Sequence, residues 1–254
     1  MVNETDDQAT AAFWDDFAPD YVAAQNESRL AITTDLTAYL TQQNILPRVS
    51  VLDVGGGAGR FALPFARVAR QVTISDISQQ MLKFARQAAV QAGLTNLKFQ
   101  HSAWSQLPAQ PQADVVFASM LPLAPAELQK FSQLGRHFAV LNRAVRHTDS
   151  ISTELQQLLD LPPVLDPTND ATIFSEYVLA VRQLGYQPWQ QTFTYHLTEQ
   201  VTREMLVAEL ADELTLHQQR LFQQWLTEKF AQHDEITAQQ TYAFKTLLWR
   251  VGLQ

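Results

Sequence analysis

Residues 1–10 are polar and read as a loose tail. From residue 11 to 46 the apolar positions recur at helical spacing. Phe13, Trp14, Phe17 and Tyr21 make one stripe, and Leu30, Leu36 and Leu40 continue the pattern. Pro19 interrupts the first stretch and suits the first position of a second helix, where its missing N–H costs nothing. The middle of the chain then alternates. Short apolar runs predict strands over 49–54, 71–75, 97–100, 114–119 and 137–145, and helical spacing appears over 61–69, 80–92 and 128–134. Gly93 is a stop signal for the second of these helices. Strands alternating with helices at this spacing predict an α/β fold with a doubly wound, mostly parallel sheet and helices on both faces.

The last third has a different rhythm. A helix is predicted over 173–184, stopping at Gly185, and a half-buried strand over 189–197. Residues 199–233 read as helical, with Leu214, Leu221, Phe222, Trp225, Leu226 and Phe230 on one face, before another strand over 241–251. The two late strands predict a C-terminal antiparallel pair with a helical insertion of about 199–235 between them. The segment 160–170 is a proline-rich loop.

The strongest chemical signal is Val51 to Ala66, VLDVGGGAGRFALPFA. An apolar strand runs into Gly55, Gly56, Gly57 and Gly59, and a helix follows. Glycines there admit positive φ and let backbone approach a ligand closely. Free N–H groups at the helix start favour a carboxylate or phosphate. Two cofactor classes compete. Gly57-x-Gly59-x-x-Ala62 is a formal match to a dinucleotide loop. Asp53, two residues before the first glycine, argues the other way, because a carboxylate there repels pyrophosphate and attracts an ammonium.

The spacing of Asp53, Gly55, Gly57 and Gly59 resembles the first motif of class I S-adenosylmethionine-dependent methyltransferases. The resemblance covers about 45–254 by topology, with its motifs in 51–122. It implies an N-terminal helical cover over 1–46 and a Rossmann-like methyltransferase domain over 47–254. Asp53 would attract the ammonium of the cofactor. Asp76, at the end of the next strand with Ile77 beside it, would accept both ribose hydroxyls; Asp76 and Gln79 also have the spacing of a capping box. Ser102, Ala103 and Trp104 fall where the family contacts adenine, although an acidic residue is usual at the position of Ser102. Ser119 and Met120 flank the methionine part. The segment lacks the Asn/Asp-Pro-Pro-aromatic motif of exocyclic-amine and amide N-methyltransferases. Trp14, Phe17 and Tyr21 are either a core helix or a lid bordering the acceptor.

Composition narrows the classes further. The 254 residues carry a formal charge of −8 and no cysteine, which removes disulfides, thiolate metal sites and cysteine nucleophiles and disfavours nucleic acid. The six histidines lack paired metal spacing, so no metal is expected. His217 and His233 read as solvated. No apolar run is long enough for a bilayer and the start lacks a signal peptide, so a cytoplasmic protein is expected. The implied activity is transfer of a methyl group from S-adenosylmethionine to a small-molecule acceptor. The rivals are a non-catalytic S-adenosylmethionine-binding protein, an RNA methyltransferase with a basic patch around Arg143, Arg146 and His147, and a dinucleotide-dependent oxidoreductase. Tyr21, Asp16 and His147 are candidate bases, none of them assigned.

Overall fold

The structure, a computed structural model, describes residues 4–162, 171–210 and 214–252. The chain divides into two compact units. The first comprises Met1–Arg143, Thr172–Phe193 and Lys245–Gln254, and the second Ala144–Ala171 and Thr194–Phe244.

In the first unit, β1 (Ser50–Val54) lies between β2 (Gln71–Asp76) and β4 (Ala113–Ser119), and β3 (Leu97–His101) pairs with β2, all in parallel. β5 (Gly135–Asp149) follows β4 in parallel, with an irregularity between Ala113 and Val115. Two later strands, β6 (Trp189–Thr202) and β7 (Glu235–Arg250), complete the order β3-β2-β1-β4-β5-β7-β6. β7 is antiparallel to β5, since Asn142 meets Thr246 while His137 meets Val251. Strand order reverses between β1 and β4, so the carboxyl ends of these strands form the crevice where open α/β sheets take ligands. Phe61 and Phe65, the latter in α3 (Ala62–Ala66), pack on Phe117 of β4 with ring centroids 5.2 and 4.9 Å away. That aromatic contact fixes the glycine loop at its helical end.

α1 (Glu4–Glu27) departs from the expected pattern at two places. The supposed tail is helical from Glu4. Thr10 donates to the carbonyl of Asp6, and Asp6 and Asp7 near the start complement the helix dipole. The helix also continues through Pro19, which starts no second helix. A proline removes one helical hydrogen bond, and packing of Trp14, Ala18, Tyr21 and Val22 against Ala58, Met81 and Phe84 offsets the loss. The second helix, α2, begins only at Ile32 and runs to Gln42. α4 (Gln79–Gln91) is followed by Gly93 at φ +66°, as its stop signal requires. α5 (Leu128–Gln133) and α7 (Ala171–Gln183) match expectation.

The second unit holds α6 (Ser150–Leu158), α8 (Arg203–Leu210) and α9 (Leu216–Lys229). α6 was not evident in the sequence, because β5 runs into its cap, Asp149, without a glycine or proline. The helical stretch expected from 199 starts at Arg203. The alternation of β6 continues through Leu197, Glu199 and Val201 and keeps the backbone extended to Thr202. Contacts of Gln200 with Thr237 and of His196 with Thr241 make β6 and β7 antiparallel here. The apolar face anticipated on the late helices is real: Leu214, Phe222, Trp225 and Leu226 are buried with Ile151, Leu155 and Leu206, and Leu221 and Phe230 pack against them. Of the proline-rich loop, 163–170 lies outside the described residues. Among the described residues no helix is long and apolar enough to cross a membrane.

Candidate functional site

β1 delivers Asp53 and the glycine loop to the crevice. Gly55 and Gly56 donate their N–H groups to the carbonyl of Ser75, at 2.8 and 3.2 Å, and the N–H of Gly57 donates to Asp76 Oδ2 at 2.8 Å. The loop is therefore sewn to the end of β2. Gly57 and Gly59 hold φ of +53° and +87°. A Cβ at Gly59 would lie 2.3 Å from Leu63, whereas one at Gly57 would meet only Met81, 3.9 Å away. Backbone conformation excludes side chains at Gly57, and the space beside it stays open.

Asp53 is 2% exposed. Burial, reinforced by the neighbouring Asp76, pushes its pKa up to about 8. A carboxyl held neutral in this way is poised to ionise when a cation arrives. Asp76 is also buried, and burial raises its pKa. Hydrogen bonds from the N–H groups of Ser78 and Gly57 oppose that shift, as does the field of His101. The capping-box reading of Asp76 is corrected. Ser78 caps α4, its Oγ accepting from the N–H of Met81 at 3.0 Å, and Asp76 Oδ1 accepts from the N–H of Ser78 at 2.8 Å.

The remaining residues line up along neighbouring strand ends. His101 Nε2 donates to the carbonyl of Ile77 at 2.9 Å, and the N–H of Ser102 donates to the carbonyl of Asp76. Ala103 is buried. Trp104 is half-buried: its Nε1 donates to Glu127, and Lys130 Nζ sits 4.7 Å above its ring. Ser119 accepts a hydrogen bond from Asn142 Nδ2 at 3.0 Å. Met120 adopts φ +60°, a strained choice for a residue with a side chain. Leu121 packs so closely on the glycine loop that a Cβ at Gly55 would lie 3.0 Å from its Cδ1.

α1 crosses these loops. Asp7 accepts from Ser105 Oγ after β3 and Asp15 accepts from Ser78 Oγ after β2, both at 2.6 Å, and Tyr21 lies within the field of Arg60 after β1. Burial raises the Tyr21 pKa, and the charges of Asp53 and Asp76 reach it. Trp14 and Tyr21 pack inward, with rings 6.1 Å apart. Phe17 stacks on Phe13 on the outer side, and the two are 40% and 60% exposed. Asp53, the glycines, Asp76 and Tyr21 therefore form one cluster. Among the other candidate bases, Asp16 is exposed and His147 belongs to the second unit. Arg143 is 7% exposed and donates to the carbonyl of Leu121 and to Tyr177, so it is no part of a basic surface patch. Among the described residues no cluster of His, Asp or Glu is arranged to hold a metal ion.

Sequence reasoning missed Asp15, Arg60, Ser78, Asn142 and Tyr177. Only Ser78 had a local signal, a serine directly ahead of a helical pattern.

Residues 51–146 match the family model described as a methyltransferase domain. Ribosomal RNA small subunit methyltransferase G of Alkalilimnicola ehrlichii is 35% identical over 113 residues, covering 41% of this chain and 51% of that protein. The tRNA 5-carboxymethoxyuridine methyltransferase of Escherichia coli is 42% identical over 57 residues, 22% of either chain. The chain thus spans about half or less of the length of these relatives. Among solved structures, magnesium protoporphyrin IX methyltransferase (ChlM) from Synechocystis PCC 6803 with bound SAH superposes with a TM-score of 0.57 at 16% identity, over 94% of this chain and 99% of that one. The [4+2]-cyclase SpnF superposes with a TM-score of 0.54 at 19% identity, over 93% and 96%. At these identities the structural likeness establishes the fold alone.

Proposed function

We propose that this chain, which belongs to the class I, Rossmann-like S-adenosylmethionine-dependent methyltransferases, transfers a methyl group from that cofactor to a small-molecule acceptor. The observation that carries the reading is a pair of carboxyls set for different ligand groups around one glycine loop. Asp53 is buried, near-neutral and answers to a cation; Asp76 is anchored by two backbone N–H groups and keeps lone pairs for hydroxyls. The donor set fits S-adenosylmethionine and not a pyrophosphate. Asp53 would hold the ammonium, the loop at Gly55, Gly57 and Gly59 the carboxylate end, and Asp76 the ribose. Ile77, Ser102, Ala103 and Trp104 would enclose the adenine, and Ser119 would flank the methionine part. When bound, the cofactor supplies an electrophilic methyl group on a sulfonium. The protein then has to align the acceptor in line and exclude water, a contribution of about 7–11 kcal/mol where alignment is good.

Residues 1–46 serve as the cover and 47–254 as the methyltransferase domain, with the helical insertion of about 199–235 inside it. Trp14, Tyr21 and Met120 border the acceptor, and Phe17 lies outside them against Phe13. The net charge of −8 and the burial of Arg143 favour a small acceptor over a polyanion. RNA is the second reading, favoured by the local likeness to the ribosomal RNA enzyme. The SpnF fold match keeps a protein that uses this scaffold without methyl transfer as the third. Incubation with methyl-labelled S-adenosylmethionine and separated cell fractions distinguishes them. Label in the low-mass fraction is expected. Label confined to RNA would overturn the acceptor class, and cofactor binding without any labelled product would overturn the activity.

A further inference from the structure

Ser78 is fully buried, so no solvent competes for its polar atoms. Three of its hydrogen bonds bear on the site. Its hydroxyl donates to Asp15 Oδ1 of α1 at 2.6 Å, its Oγ accepts from the N–H of Met81 at 3.0 Å, and its own N–H donates to Asp76 Oδ1 at 2.8 Å. The same Asp15 oxygen accepts the N–H of Gln80 at 3.0 Å. By accepting the serine O–H, Asp15 turns the Oγ lone pairs toward Met81. That fixes the Ser78 backbone, and with it the N–H on which Asp76 rests. The far oxygen of Asp76 is held by the N–H of Gly57. The carboxylate is thus clamped between two loops, and one of its supports leads back to α1.

We propose that Asp15 is a positioning residue that sets the Asp76 carboxylate through Ser78, so that docking of α1 and readiness of the ribose acceptor are one event. The inference rests on the reading that Asp76 takes the ribose of the cofactor. A second clip of α1, Asp7 with Ser105, joins it to another loop, so a perturbation at Asp7 loosens α1 without removing the acceptor of the Ser78 O–H.

The test is calorimetric titration with S-adenosylhomocysteine and with its 2′,3′-dideoxyribose counterpart. Asp15→Ala keeps a good helix former in α1 and deletes the acceptor. It should weaken S-adenosylhomocysteine about tenfold, the range of one charge-assisted hydrogen bond, and the dideoxy ligand hardly at all. Asp15→Asn, which still offers an oxygen to Ser78 and Gln80, should recover most of the loss. Asp7→Ala should weaken the two ligands by the same factor. Equal losses for both ligands in Asp15→Ala, or no loss, would show that Asp15 merely docks the helix and would sink the proposal while leaving the cofactor reading intact. Failure of the unaltered protein to bind S-adenosylhomocysteine would sink both.

Discussion

Binding of the cofactor should expel a proton, and Asp53 is the source. Its carboxyl has a pKa of about 8 in the ligand-free protein. At pH 7 such a group is about ten parts protonated to one part ionised. An ammonium placed against it selects the ionised form, so binding near pH 7 should release about 0.9 proton and cost about 1.4 kcal/mol, roughly tenfold in affinity, relative to a site already ionised. Titration with S-adenosylhomocysteine in two buffers of different ionisation enthalpy reads the proton count directly. The same ligand at pH 6 should bind about tenfold more weakly than at pH 7, for the same reason. Asp53→Asn cannot ionise and should show neither the proton release nor this slope. Tight binding by the unaltered protein with no proton released would refute the reasoning, because Asp53 would then be charged before the ligand arrives or would never meet its ammonium.

The same carboxyl affects folding. Its folded pKa lies above the unfolded value of 3.8, so the folded state binds the extra proton. Its contribution to the stability of the ligand-free protein should therefore decline as pH rises from about 4 to about 8, and Asp53→Asn should flatten that decline in thermal melts. Asp76→Asn leaves one backbone N–H facing an amide instead of a carboxylate oxygen. It should lose about 1–3 kcal/mol of stability by denaturant titration as well as about thirtyfold in cofactor affinity, and unchanged affinity would remove Asp76 from the ribose site. Hydrogen exchange over residues 11–30 should slow when S-adenosylhomocysteine is added; protection that is already maximal without ligand would make α1 a core helix and not a cover. In the second unit, Leu226→Ala should cost about 2–5 kcal/mol, read by denaturant titration, because Leu226 is fully buried among Ile151, Phe222 and Trp225.

The parallel core was legible because its signals are local. Val51–Val54 before a glycine run, and Gly93 after Gln80–Ala92, depend on residues adjacent in sequence, and both survive in the structure. That Asp53, Asp76 and the glycines lie together was legible for the same reason. The course of α1 was not legible. A proline in mid-helix reads as a break, and only contacts with Ala58 and Met81, distant in the chain, keep the helix running. The clip from Asp15 to Ser78 joins residues 63 apart, and no periodicity encodes it. The brace beneath the loop after β4 is of the same kind: Asn142 holds Ser119 and is itself held by Thr246, from strands whose partners the sequence does not name. The strand reading of 189–197 failed only in length: a glutamate, Glu199, takes an inward position and hides in the sequence an alternation that the structure carries on to Val201.

The last strand has a consequence for synthesis. Leu247, Leu248 and Trp249 are almost wholly buried in the first unit, where Trp249 donates to Ser132 Oγ. They follow Thr194–Phe244 of the second unit in the chain. A ribosome adding about 5–20 residues per second takes roughly 5–20 s to pass from Arg143 to Lys245. Throughout that interval β5 has no β7 beside it, and Ala139, Val140 and Leu141 lie along an open edge, the kind of template on which nascent chains pair wrongly. The second unit, by contrast, has its core residues complete once Ala238 is made, before the first unit can close. The part of the protein that carries the glycine loop is begun first and closed last. It is therefore the part whose yield should depend most on what attends the chain as it leaves the ribosome.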